Sequence, residues 1–133
     1  MSADENGRLV GELYAAFARG DLEALRKGLA DDIAWHVQGS SLVSGHFHGT
    51  DAVFAYLGRL GELTGGSLTV SVHDLLASED HVVVLQTENA NLAGKSASLD
   101  YVAVWHVRGG LATEVWMMPV DAGADDAFWG PPE

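Results

Sequence analysis

The sequence predicts an α+β fold, with three helices from the N-terminal half packed on a curved, mixed or antiparallel sheet. Two patterns and one set of breaks carry this. Apolar residues recur at helical spacing through the first half, and alternate at strand spacing through the second. Gly-containing or polar turns divide the second half at hairpin intervals, so a meander follows a helical layer. A curved sheet with helices on its concave side encloses a cavity.

Leu9, Val10, Leu13, Tyr14 and Phe17 share one helical face, which Gly20 ends. Asp21 is placed to cap a second helix, with Leu22, Leu25 and Leu29 on one side. Residues 32–37 (DIAWHV) then alternate as a strand, with Ile33, Trp35 and Val37 on one face. The Gly- and Ser-rich stretch after it predicts a loop with a short extended piece around Phe47. Thr50 or Asp51 is expected to cap a third helix with the stripe Val53, Tyr56, Leu57, Leu60 and Leu63, stopped by Gly65-Gly66.

The following strands run from Leu68, from His81 to Asn91, from Ser96 to Val107 and from Leu111 to Met118. Ser78–Asp80, Ala93–Lys95 and Gly109-Gly110 supply the turns. Phe128 and Trp129 are expected to anchor the tail. The chain of 133 residues fits one domain, 1–133.

Composition narrows the function. A net charge of −12, with no Lys or Arg after Arg108, argues against nucleic acid, whose phosphates require a basic surface. The longest aliphatic run, Val82–Leu85, is far short of a membrane span, and the polar, acidic N-terminus lacks a secretory pattern. No cysteine is present, so there is no disulfide framework or thiolate site, and the expectation is a soluble cytoplasmic protein. Phosphate loops, serine elbows and zinc-helix motifs are absent.

Candidate site residues follow from strand faces. On the long strand, the bulky odd residues Leu99, Tyr101, Ala103, Trp105 and Val107 should point inward, leaving Asp100, Val102 and Val104 outside. Glu114, Trp116 and Met118 share a face of the last strand; Val84, Gln86 and Glu88 share one of an earlier strand. If both faces are inward, two glutamates enter an aromatic cavity, where desolvation raises a carboxyl pKa toward acid–base use. A solvated surface charge is the alternative for each. Asp74 continues the parity of Leu68, Val70 and Val72 toward the cavity mouth, with a strand-end surface carboxylate as the commoner alternative. His36, His46 and His48 invite a metal, but two imidazoles on a short strand lack a third ligand and supporting shell, so none is expected.

Five segments carry a resemblance: Phe17–Leu25 (FARGDLEAL), Leu29–His36 (LADDIAWH), Gly45–Val53 (GHFHGTDAV), His73–Ala77 (HDLLA) and Gly109–Trp116 (GGLATEVW), with the Phe128-Trp129 ending. In this order they resemble the SnoaL-like, ketosteroid-isomerase-like branch of the nuclear transport factor two-like superfamily, which includes polyketide cyclases and limonene epoxide hydrolases. The resemblance implies a cone-shaped α+β barrel, a homodimer and a cone-shaped cavity between helices and sheet. It does not carry over the chemistry. The isomerase's aspartate base, tyrosine and protonated aspartate fall near Leu13, Val37 and Ala103. The cyclases' acidic residue after the last Trp is Met117, and the epoxide hydrolases' Asp-Arg-Asp set finds no match around Arg59 or Arg108.

The expected function is binding of a small, largely apolar organic molecule, with cofactor-free isomerisation, cyclisation or hydrolysis by Glu88 or Glu114, assisted by Tyr101 or His48. Tyr14, Trp35, Val37, Tyr56, Trp105, Trp116 and Met118 are the expected binding wall. The alternative is a non-catalytic module that binds a small ligand or another protein. The outer sheet face around Asp100, Val102 and Val104 is the expected dimer interface.

Overall fold

The computed structural model describes residues 2–133. Helix α1 (Ala3–Ala18) begins in a capping box. The Glu5 N–H donates to Ser2 Oγ (3.1 Å) while the Glu5 carboxylate accepts from the Ser2 backbone (3.3 Å). Its buried stripe, Val10, Leu13 and Ala16, faces the sheet. Buried Asn6 donates to the carbonyls of Ser78 and Glu79, tying α1 to a distant turn. Helix α2 (Leu22–Lys27) is capped by Asp21, which accepts from the Ala24 N–H at 3.1 Å.

Helix α3 (Thr50–Leu63) differs from expectation at its start. Gly49, at φ 89°, is the N-cap and provides no side-chain bond; the Thr50 hydroxyl instead donates to the Ala30 carbonyl at 3.0 Å. The backbone needs a left-handed residue there, which favours glycine, and the threonine is free to pin α3 to the sheet.

Six strands follow the order β2-β1-β6-β5-β4-β3. They are β1 (Leu29–Val37), β2 (Gly45–His48), β3 (Thr69–Ala77), β4 (His81–Leu92), β5 (Lys95–Arg108) and β6 (Leu111–Pro119). The β3–β6 meander is antiparallel, whereas β1 joins β6 in parallel, so the sheet is mixed and stays open, with β2 and β3 at its edges. A fourth helix, α4 (Ala122–Trp129), capped by Asp121, forms where the sequence suggested only an anchored tail.

The concave face carries two clusters. One joins Val10, Leu13, Ile33, Trp35, Trp105 and Val115 beneath α1 and α2. The other joins Leu60, Leu99, Tyr101, Phe128 and Trp129 beneath α3 and α4. The inward parity of β5 is as expected: Leu99, Tyr101, Ala103, Trp105 and Val107 are all buried.

Two bulges overturn the parity expected of neighbouring strands. The hairpin starts with Arg108 opposite Leu111, and a straight ladder would set Trp105 against Glu114. Instead Val107 pairs with Ala112 and His106 with Glu114, leaving Thr113 as the extra residue. Trp105 therefore faces Val115, and Glu114, Trp116 and Met118 turn to the convex face. In β3 the shift falls between Val72 and Asp74. Beyond it Leu75 packs on the core, and Asp74 is exposed, accepting from the Leu75 N–H rather than reaching the cavity.

Candidate functional site

Between the helices and the concave face lies a cavity of about 60 Å³. Tyr14 and Phe17 of α1, Trp35 of β1, Tyr56 of α3 and Trp105 of β5 form its aromatic wall. Trp105 sits edge-on to Tyr14 (centroids 5.7 Å) and to Trp35 (5.4 Å), which locks three rings contributed by distant segments.

One polar chain crosses this wall. Trp105 Nε1–H donates to the Tyr14 hydroxyl at 3.2 Å; that hydroxyl donates to Gln86 Oε1; and Gln86 Nε2–H donates to Glu88 Oε2 at 3.2 Å. Gln86 is 2% exposed, so its amide is a fixed part of the cavity floor, and it orients the carboxylate that ends the chain. Burial, and then the negative charge of Asp125, push the Glu88 carboxyl up to about 7, against the lowering effect of the Gln86 bond. Burial also raises the Tyr14 and Tyr56 hydroxyls, so both remain protonated donors near neutrality. Two further lining residues stand outside this chain: Tyr56, whose hydroxyl makes no hydrogen bond among the described residues, and Trp35, whose Nε1–H is buried without a partner.

The expected binding residues Tyr14, Trp35, Tyr56 and Trp105 thus meet at the cavity with Glu88. The others do not. Val37 is buried in the first cluster but lies off the cavity wall. Tyr101 faces inward, yet its hydroxyl is committed to Asp125, which also accepts from Trp129 Nε1 at 3.1 Å; this bolts α4 to β5. His48 is exposed: β2 pairs Phe47 with Trp35, so Phe47 takes the inward position and both His46 and His48 turn outward.

Glu114 is held on the convex face, where His36 Nε2 lies 2.6 Å from one oxygen and His106 Nδ1 3.9 Å from the other. Trp116 stacks on His36, and His46 Nδ1 meets His36 Nδ1 at 2.6 Å. Burial and neighbouring His81 lower the His106 pKa. Met118 continues this outer face. Among the described residues, no group of three or more His, Cys, Asp or Glu has the arrangement of a metal site.

A family model for the SnoaL-like domain matches residues 10–115, spanning α1 through the centre of β6. The chain belongs to the SnoaL-like family. An uncharacterized protein of Mycobacterium tuberculosis is 34% identical to this SnoaL-like chain over 130 residues, covering 97% of it and 99% of the relative. Among solved structures, Bal32a from a soil-derived mobile gene cassette superposes with a TM-score of 0.92 at 30% identity, covering 96% of this chain and 98% of that one. TerC, co-crystallized with polyporic acid, superposes with a TM-score of 0.81 at 26% identity, covering 93% and 97%.

Leu13 lies on the cavity wall, while Val37 and Ala103 are buried in the first cluster, so all three positions near which the resemblance sets the isomerase's residues are apolar. Sequence reasoning put Gln86 on the same face as Glu88 but gave it no role. A glutamine in an alternating strand reads as a surface residue, and its partner Tyr14 lies on α1, remote in sequence. Asp125 carries no sequence signal of its burial either, because α4 has only weak periodicity.

Proposed function

We propose that this SnoaL-like chain binds a small, largely apolar organic molecule in the concave cavity and moves a proton on it with Glu88, without a cofactor. The observation that carries this reading is Glu88 itself. Its carboxyl ends a fixed hydrogen-bond chain inside an aromatic wall and titrates near neutrality, so it can take a proton and return it within one turnover. Rings of the wall supply apolar contact, and displacement of water strengthens the charge interactions left inside. The space of about 60 Å³ is small for an organic ligand, so such a ligand enters by turning flexible wall side chains such as Leu57 and Met117. TerC, with polyporic acid in its crystals, supports an organic ligand in this fold.

The test starts from what co-purifies. The protein is incubated with metabolite extract, washed, and its retained compounds identified by mass spectrometry. A converted compound should show a rate that changes through pH of about 7 and collapses in Glu88→Gln. Saturable binding with no turnover would favour the second reading, a non-catalytic binding module, to which the apolar residues at Leu13 and Ala103 lend weight. We place the protein in the cytoplasm as one domain forming a two-fold dimer. The dimer would cover the convex patch of Val83, Leu85, Val102, Val104 and Trp116, in which Leu85 is 38% exposed.

A further inference from the structure

We infer that His36 and His46 form a two-imidazole site on the convex face for a divalent transition ion of tetragonal preference, Cu²⁺ before others. The site is separate from the cavity and does not depend on Glu88.

The sheet register brings the pair together. His36 of β1 lies directly opposite His46 of β2, with ring centroids 4.9 Å apart and the two Nδ1 atoms at 2.6 Å. Ring nitrogens this close cannot both carry a proton toward each other. What lies between them is therefore one shared cation, a proton or a metal ion.

The supporting shell that the sequence did not reveal is present in the fold. A carboxylate only accepts, so His36 Nε2–H donates to Glu114 at 2.6 Å, and the lone pair of the neutral ring is left on Nδ1, facing His46. Trp116 stacks on the His36 ring, with centroids 5.4 Å apart and planes at 29°, which fixes its orientation. A carboxylate on the far nitrogen is the usual second partner of a metal-bound imidazole and raises its basicity. His46 is exposed, so its ring is free to turn, and the bridging proton passes to its own Nε2 when a metal ion takes its place.

The spacing selects the ion. With metal–nitrogen bonds of about 2.0 Å, ligands at a right angle stand about 2.8 Å apart, and ligands at the tetrahedral angle about 3.3 Å. The 2.6 Å gap opens slightly for the first arrangement and much further for the second. Copper(II) and nickel(II) favour the first and zinc the second, and copper heads the affinity order for nitrogen ligands. Among the described residues no third His, Cys, Asp or Glu completes a set with the pair, so water or an outside molecule fills the remaining positions. His81 and His106 are also opposite one another, with centroids at 4.2 Å, but no hydrogen bond joins their nitrogens among the described residues.

The test titrates the untagged full chain, stripped with chelator, with Cu²⁺ at neutral pH. Electron paramagnetic resonance and tryptophan fluorescence follow the binding. A single equivalent should bind with a tetragonal spectrum split by imidazole nitrogens, at least about tenfold more tightly than Zn²⁺. His46→Ala, at an exposed position, should weaken Cu²⁺ by about tenfold or more, and Glu114→Gln, which keeps both ligands, by about tenfold. His48→Ala and His81→Ala should leave the affinity unchanged. Copper that binds His46→Ala as tightly as the parent overturns the inference, as does a parent that takes up no copper at micromolar concentration. A loss in His81→Ala instead also overturns it and moves the site to the His81–His106 pair.

Discussion

The two faces of the β4–β5–β6 sheet are built from similar residues and do opposite things with them. Each face presents tryptophan and a glutamate: Trp105 and Glu88 on the concave side, Trp116 and Glu114 on the convex. On the concave side the helices shield the face from bulk water, Trp105, Tyr14, Gln86 and Glu88 are joined in a fixed order of hydrogen bonds, and the carboxyl is pushed up to about 7. The convex carboxylate is shared between two imidazoles and keeps a third of its side-chain surface in solvent. Residue type does not distinguish the faces. Access to water does, and a single extra residue in a strand decides which face a glutamate reaches.

The sharpest way to break this comparison is to truncate one tryptophan on each face. Trp105→Ala removes a 3% exposed ring that locks Tyr14 and Trp35, and should cost about 3–5 kcal/mol in urea unfolding. Trp116→Ala should cost no more than about 1.5 kcal/mol, since its ring is partly wet. Equal losses would erase the distinction between the faces.

The next largest effect is electrostatic. The raised Glu88 pKa means the folded chain holds that proton more tightly than the unfolded one. Stability is therefore full below the ordinary value of 4.5 and declines as pH rises toward about 7. The loss amounts to about 3 kcal/mol for a shift from 4.5 to about 7. Glu88→Gln should flatten this slope and be the more stable protein at pH 8, measured by urea melts at fixed protein concentration.

A smaller effect tests what covers the convex side. Val104→Asp puts a charge at the centre of the apolar patch, and should weaken self-association tenfold or more, about 1.4 kcal/mol, in sedimentation equilibrium. A parent chain that sediments as a monomer at micromolar concentration would remove the proposed dimer. Smallest of all, His46→Ala on the exposed edge strand should change stability by no more than about 0.5 kcal/mol.

The first three helices, the strands and the inward parity of β5 were legible because each is written in many residues: stripes such as Val53, Tyr56, Leu57 and Leu60, or five apolar odd positions in a row. The family was legible for the same reason, as five segments in order. The candidate site was readable only in part. Glu88, Tyr14, Trp35, Tyr56 and Trp105 emerge from local periodicity, but Glu114, Trp116 and Met118 were misplaced by the one-residue bulge at Thr113. A bulge changes no composition and no spacing visible within a strand; it exists only in the pairing of two. Gln86 and Asp125 escaped because each is polar in sequence and buried by a partner elsewhere in the chain.

The parallel pairing of β1 with β6 has a meaning in time as well as in space. Trp35 lies beside Val115 and Val37 beside Met117, partners separated by most of the chain. During synthesis α1, α2 and β1 emerge early, with the apolar edge of β1 lacking its neighbour until residues 111–119 have been made. Contacts this remote in sequence form slowly, and unpaired strand edges with exposed aromatics are the species that aggregate. The wall that carries Trp35 is therefore the last part of the cavity to be closed, and the nascent chain is most vulnerable just before β6 arrives.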